Sequence, residues 1–350
     1  MNQTFTIRGV EIGTGRRPYV VAEMSGNHNG SLDRALALVD AVADAGAHAL
    51  KLQTYTADTL TVNVDHPRFR ISGGHDLWSG EHLYQLFERA HTPWEWHEAI
   101  FDRARDRGLT AFSSPFDPTA VDLLEKLDVP LYKIASSEIV DLPLIRLVAG
   151  TGKPMIISTG MASVGEIAAA VEAARSGGCT DLVLLACTAS YPAPPEQSNL
   201  RRLPVLADVF GLPVGLSDHT LGIGVPVASV ALGACLIEKH VTLDRGDGGV
   251  DSAFSLEPHE VGALVVESER AWRSLGTTTI GPTDAERESL RFRRSLFVVE
   301  DVRAGDEVTA ANVRSIRPAG GLAPETIPTV LGRTFRQDTA KGTPLSWDLI

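Results

Sequence analysis

The feature that most constrains this chain is a motif pattern repeated eight times. A short apolar run ends in polar, chemically useful residues and then gives way to a helical stretch. The runs are 18–24 (PYVVAEM), 47–55 (AHALKLQTY), 110–116 (TAFSSPF), 131–138 (LYKIASSE), 154–161 (PMIISTGM), 182–191 (LVLLACTASY), 214–220 (VGLSDHT) and 236–243 (LIEKHVTL). Continuous apolar runs flanked by turn residues read as strands buried on both faces, and their alternation with helices implies a parallel sheet. Eight units predict an α/β fold, a closed (β/α)8 TIM barrel, with chemistry at the C-terminal strand ends. Between helices and strands the punctuation agrees. Ser31 precedes a helical-period run that Gly46 ends, and Gly108, Gly152, Gly177, Gly211 and Gly276 stand where other helices close.

The pattern stops after Gly276. The expected organisation is a catalytic barrel over 1–276, a polar linker over 277–291, and a small β-rich domain over 292–350 built from short runs such as SLFVVEDV and NVRSIRP. One long insertion, Thr56–Thr92, carries Phe69, Trp78, Tyr84 and Phe87. It reads either as a lid or interface element or as an ordered surface excursion.

A net charge of −12 argues against nucleic acid and against an anionic membrane as partners. Neither a signal-length apolar core nor a membrane-length run is found. The three cysteines, Cys179, Cys187 and Cys235, form no CxxC, which fits a reducing, cytoplasmic setting. Only six residues are lysine against twenty-six arginine, and Lys51, Lys133 and Lys239 all fall at predicted strand ends. A compact ammonium there suits a site where a flat guanidinium would not fit.

His219 and His240 end the seventh and eighth runs. Neighbouring strands lie about 4.8 Å apart, so the two imidazoles either share one divalent cation or act together as acid and base. Glu238 shares a strand face with His240 and is placed to orient a ligand there. Lys51 with Gln53, and Ser136 with Glu138, also share faces; with Lys133, Ser158 and Ser217 they predict a ring of cations and hydroxyls suited to phosphate plus carboxylate. Glu23 faces the same mouth, as a sugar-hydroxyl ligand or a proton carrier. The glycine-rich segment Asp244–Asp251 lacks calcium-loop spacing and reads as a mobile loop over the site.

In order along the chain, AEMSGNHNG, KLQTYTADTLT, FSSPFD, YKIASSE, STGM, SYPAPPE, GLSDHTLG and EKHVTLDR resemble the sialic acid synthase family, and the end of the chain resembles its antifreeze-like (SAF) domain. ISGGHDLWSGEHLYQLFERAHTPWEWH, FRRSLFVVEDV and RSIRPAGGL are most similar to the branch that makes pseudaminic acid. Family members join phosphoenolpyruvate to an N-acylated amino sugar. The resemblance implies His219 and His240 as metal ligands, for manganese first, with magnesium or cobalt as alternatives. It implies Lys51, Lys133, Ser136, Ser158 and Ser217 as phosphoenolpyruvate contacts. Glu23, Gln53, Glu138, Tyr191, Asp218 and Glu238 become acceptor-binding or proton-handling groups. Ala189 stands where N-acetylneuraminate synthases usually carry asparagine, so the expected acceptor is a diacetamido trideoxyhexose, not N-acetylmannosamine. The resemblance further implies a domain-swapped homodimer in which Arg317 of the small domain reaches the partner's acceptor. The rival expectations are a sister synthase using another acceptor, a Schiff-base aldolase working through Lys133, and a non-enzymatic carbohydrate- or ice-binding protein.

Overall fold

The computed structural model describes residues 4–71 and 77–350. Residues 72–76, inside the long insertion, lie outside the described residues, as do residues 1–3 of the N-terminal segment judged above to lack a signal core. The chain forms two compact units, Met1–Gly276 and Thr277–Ile350.

The first unit opens with a hairpin of β1 (Thr4–Ile7) and β2 (Val10–Gly13). Eight parallel strands follow: β3 (Tyr19–Glu23), β4 (Ala49–Thr54), β5 (Thr110–Pro115), β6 (Tyr132–Ile134), β7 (Met155–Ser158), β8 (Leu182–Cys187), β9 (Val214–Asp218) and β10 (Ala234–His240). They close in sequence order, with β10 paired to both β9 and β3. Seven of the predicted runs contain one of these strands whole, the eighth starts two residues inside β10, and the expected TIM-type barrel is the fold found.

Strand alternation sorts the residues into two layers. One parity, including Val20, Leu50, Ile134, Ile157, Leu184 and Ile237, packs against the surrounding helices in one large core. The other parity points into the barrel. Its lower positions, including Val21, Ala49, Phe112, Leu131, Ile156, Leu185 and Leu236, form a second core to which the hairpin adds Phe5, Ile7 and Ile12. Two residues further along the same face the inward positions become Glu23, Lys51, Ser114, Lys133, Ser158, Cys187, Ser217 and Glu238. An apolar floor therefore supports a polar mouth. Gly215 belongs to this inner layer, where an added Cβ would lie 2.3 Å from the Leu236 carbonyl oxygen and 2.7 Å from Leu185 Cδ2. Only glycine lets the strands approach that closely.

Helix signals are mostly met. Ser31 caps Leu32–Asp44 by accepting from the Arg34 N–H, and Gly211 closes Arg202–Phe210 in the left-handed conformation. Gly177 instead stays right-handed, and the next residue, Gly178, takes the positive φ. The insertion holds helices at Ala57–Leu60 and Leu83–Ala90.

The second unit pairs β11 (Ser295–Val298) with β12 (Val313–Ile316) antiparallel around a small core of Leu296, Val298, Val313, Val330, Phe335 and Leu345. The stretch 277–291, expected as a polar linker, carries a 3-10 turn at Asp284–Glu286 and most of another at Glu288–Phe292. Among the described residues, no helix is long and apolar enough to cross a membrane.

Candidate active site

Four charges gather on the apolar floor. The Lys51 ammonium rests against the Glu23 carboxylate and lies 3.7 Å from Glu238 Oε1. Lys133 Nζ donates to both Glu238 oxygens at 3.0 and 3.1 Å, and Ser217 Oγ donates to Oε1 at 3.2 Å. All four charged residues are buried. Burial alone would raise Glu238, but Lys133 and Lys51 outweigh it and hold the carboxyl below its ordinary range. Burial pushes Glu23 up against the opposing pull of Lys51, and it pushes Lys133 down despite Glu238. Register explains the assembly: Glu23 is the ladder partner of both Lys51 and His240, and Glu238 that of Ser217.

Lys51, Lys133 and Glu238 line a cavity of about 180 Å3 that also takes in Gln53, Phe116, Ser136, Glu138, Ser158, Ala189, Tyr191, His219 and His240. Among the described residues, three polar atoms of its lining residues, Ser158 Oγ, Glu138 Oε2 and His240 Nδ1, are buried without a hydrogen-bond partner. Burial raises the Glu138 carboxyl to about 7. Ser136 Oγ accepts from the Gly160 N–H at 3.1 Å. A Cβ on Gly160 would come within 2.7 Å of that oxygen, so glycine keeps this wall open.

The His219 and His240 rings stand 5.3 Å apart between centroids. His219 Nδ1 is bonded to the Thr188 carbonyl at 2.9 Å, which makes Nδ1 the protonated nitrogen and leaves Nε2 a free lone pair. His240 Nδ1 is buried without a hydrogen-bond partner. It lies 3.6 Å from Asp251 Oδ2. Burial drives the His240 pKa well down, so this imidazole is neutral. Two imidazole lone pairs and a nearby carboxylate are a donor set that fits a divalent cation.

Asp251 was not singled out from the sequence, and the segment that carries it differs from the mobile loop expected there. Ser25 Oγ bonds the Asp251 carboxylate, and the Asp251 N–H donates to Asn27 Oδ1 at 3.2 Å. Asn27 Nδ2 in turn donates to the Val241 carbonyl at 2.8 Å and to Ser255 Oγ at 2.9 Å. The Asn27 turn after β3 thus ties down the return of the chain after β10. An acidic residue closing a glycine-rich loop was the only hint in the sequence.

A second cavity, about 200 Å3, adjoins the first through Gln53, Tyr191 and His240 and is walled by Tyr55, Trp78, Leu86, Phe87, Ala90 and Asp251. Trp78 Nε1 donates to the Val250 carbonyl at 3.1 Å. The Tyr191 ring lies 4.3 Å from His219 and 5.8 Å from Trp78. The insertion therefore delivers an aromatic wall to the mouth. A wider cleft of about 660 Å3 shares Trp78 and Val250 and opens outward past Glu81, Arg89 and Asp247.

Two candidates of the barrel unit, Glu23 and Asp218, line neither cavity; Glu23 is sealed beneath Lys51. Asp218 alternates with Ser217 and His219 and so faces away from the mouth; it is buried against Lys239, whose Nζ lies 2.5 Å from Oδ2. Lys239, between Glu238 and His240, turns outward for the same reason. Arg317 is exposed one residue past β12, in the second unit. Elsewhere, the ligand atoms of Glu257, His259 and Glu260 all lie within 4.8 Å of one another, a closer set than His219, His240 and Asp251 make. Both glutamates there are already engaged by Arg245.

The NeuB family model matches residues 38–279, and the SAF domain model matches residues 293–350. The pseudaminic acid synthase of Campylobacter jejuni subsp. jejuni serotype O:2 is 42% identical over 95% of this chain and 96% of its own. The N,N'-diacetyllegionaminic acid synthase of Legionella pneumophila is 35% identical over 95% of this chain and 94% of its own. The crystal structure of an N-acetylneuraminic acid synthetase from Leptospira borgpetersenii, in complex with citrate, superposes with a TM-score of 0.73 at 33% identity, covering 83% of this chain and 96% of that one.

Proposed function

The chain belongs to the NeuB family, and we propose that it is a pseudaminic acid synthase. In that reading it condenses phosphoenolpyruvate with 2,4-diacetamido-2,4,6-trideoxy-L-altrose and water, releasing pseudaminic acid and phosphate. The observation that carries this reading is the buried lysine–glutamate quartet beneath two histidines, in a cavity continuous with an aromatic one. Phosphoenolpyruvate brings a phosphate and a carboxylate, and Lys51 and Lys133 are the cations that neutralise them. Ser136, Ser158 and Ser217 donate to the remaining oxygens, with Ser158 Oγ already lacking a partner.

His219 and His240, with Asp251 beside them, would hold a divalent cation, manganese in the first instance. Bound there, it supplies Lewis-acid polarisation of the acceptor's aldehyde oxygen. His219 is pulled down by burial but raised on balance by Cys187 and the Thr188 carbonyl; a cation would take the Nε2 lone pair of the neutral ring, so its binding would compete with protonation. C3 of phosphoenolpyruvate attacks the aldehyde carbon, water adds to C2, and the hemiketal phosphate breaks its C–O bond to release phosphate. Glu238, which lines the charged cavity, and Glu23, which rests against Lys51, would be the groups that take and return the water's proton. Glu138, Gln53 and Tyr191 line the acceptor end. Labelled water oxygen should appear in the sugar acid and not in phosphate.

Acceptor choice rests on the second cavity. An aromatic wall, with Ala189 in the adjoining charged cavity, suits a 6-deoxy sugar bearing two acetamido groups. Apolar pockets discriminate by only ~1–3 kcal/mol, so side activity with related sugars is expected. The test assays phosphate release with a panel of acceptors and identifies each product by mass spectrometry. A wide preference for N-acetylmannosamine or for the legionaminic acid precursor would overturn the assignment within the family. Trapping pyruvate on Lys133 with borohydride, with activity indifferent to chelator, would replace it by a Schiff-base enzyme.

The proposal extends to a homodimer in which Arg317 of one copy completes the other's acceptor site. Arg317 is exposed in a Pro-Gly turn, suited to reaching beyond its own unit. Fifteen linker residues could span up to about 50 Å if extended. Mixing His240→Ala with Arg317→Ala under conditions of subunit exchange should restore activity that neither shows alone. No recovery despite proven exchange would place the arginine's action within one chain or nowhere.

A further inference from the structure

The outer face of β9 and β10 holds a group of charges that the proposed reaction does not use. Lys239 and Asp218 are direct ladder partners and both are buried. Lys239 Nζ bonds Asp218 Oδ2 at 2.5 Å and also bonds the Thr220 carbonyl. Asp218 holds the same segment from the other side, accepting from the Thr220 N–H at 3.2 Å and from its hydroxyl at 2.9 Å. Glu260, on the helix Pro258–Ser274, contributes to the field at Lys239 from outside the barrel.

The place of this network in the sheet gives it a meaning. The β9–β10 ladder ends at the Asp218–Lys239 pair. His219 is the next residue, beyond the last backbone register point, whereas His240 is still paired with Glu23 on β3. The peptide carrying His219 therefore has no ladder connection to the strand carrying His240. Lys239 makes that connection with its side chain by reaching across to the Thr220 carbonyl. A buried ion pair is a weak stabiliser, since apolar residues of like volume commonly do as well or better. A definite geometric task accounts for one between the two histidine-bearing strands.

We propose that the Asp218–Lys239–Thr220 network is a positioning device that holds His219 at a set distance and angle from His240 and so tunes their joint affinity for a divalent cation. It rests on the reading of these histidines as cation ligands. Neither Asp218 nor Lys239 touches substrate; both act through the backbone of residues 219 and 220.

The test uses the full-length protein and Mn2+ alone, titrated by the loss of the free-ion electron paramagnetic resonance signal. Phosphoenolpyruvate binding without metal is measured in parallel by calorimetry. Asp218→Asn/Lys239→Met keeps volume and removes both charges. Its expected Mn2+ affinity is 10–100-fold weaker, with phosphoenolpyruvate affinity within twofold of the parent. Thr220→Val keeps the ion pair and deletes one bond, and the same pattern is expected at about threefold. In the metal-free protein the imidazole resonances of His219 and His240 should shift in both variants, while those of His28, His48 and His97 stay in place. Wild-type Mn2+ affinity in the folded variants, or equal losses of Mn2+ and phosphoenolpyruvate, would overturn the proposal. If His240→Ala binds Mn2+ as tightly as the parent, the cation reading itself fails and takes the inference with it.

Discussion

The two adjoining cavities at the barrel mouth are built by different means. The charged one is made mostly of residues at the ends of strands, where ladder register sets each side chain's height to within one residue. Lys51, Lys133, Ser158, Ser217 and Glu238 all come from such positions, with Glu23 at the end of β3 against Lys51. The aromatic one is made mostly of residues from the connections that follow strands: Tyr55 just after β4, Trp78 and Phe87 from the insertion, Tyr191 after β8, and Asp251 after β10. A reactant common to a whole family is best held by the scaffold, while the reactant that varies is held by loops that can change without disturbing the sheet. The two halves should therefore fail in different ways when altered.

The largest effect is expected where the halves meet. His240→Ala should lower kcat/KM by about a thousandfold or more with every acceptor, since several kcal/mol of charge stabilisation would be lost. Thermal stability should change little, and near-normal turnover would remove His240 from the reaction. Trp78→Ala sharpens the comparison from the loop side. The KM for the acceptor should rise by roughly 5–150-fold, the equivalent of about 1–3 kcal/mol, while the KM for phosphoenolpyruvate stays within twofold. Equal changes in both would mean that the cavities are not functionally separate. Ser158→Ala is the mirror experiment on the strand side. It should raise the phosphoenolpyruvate KM about fivefold, for one hydrogen bond of roughly 1 kcal/mol, and leave acceptor preference alone.

The smallest effect concerns Glu138, at the rim of the charged cavity. Its folded pKa is raised from the ordinary value to about 7, first by burial and then by Asp141, with Lys133 opposing. A raised carboxyl pKa contributes stability that is fully present below the unfolded value near 4.5 and is lost as pH rises through about 7. Glu138→Gln, neutral throughout, should gain on the parent between pH 5 and pH 8, by several °C in the barrel's melting temperature. A constant difference across that range would show that Glu138 does not titrate there.

Much of the strand-built half was legible in the sequence because strand geometry is periodic. Once KLQ, YKI, SDH and EKH were placed at strand ends, alternation alone decided which residues shared a face. The same rule, followed strictly, places Asp218 on the outer face, because it stands between Ser217 and His219. Grouping it with the acceptor-side residues came from the motif as a whole and not from its parity. The loop-built half was less legible because loops have no period. Trp78 was visible as an aromatic in a long insertion, but nothing in the sequence says that its indole reaches the Val250 carbonyl.

By itself the sequence determined the eightfold barrel, the pole at which chemistry gathers, and the residue types there, since all three follow from local patterns of hydrophobicity and alternation. Only the tertiary structure decided what depends on contacts between residues far apart in the chain. It paired Lys133 with Glu238, 105 residues away, brought Asp251 beside His240 and Ser25, and turned Lys239 from a mouth lysine into the partner of Asp218. Closing a barrel makes first and last strands neighbours, and the charges that then meet are set by where the ring closes, which no local window of sequence contains.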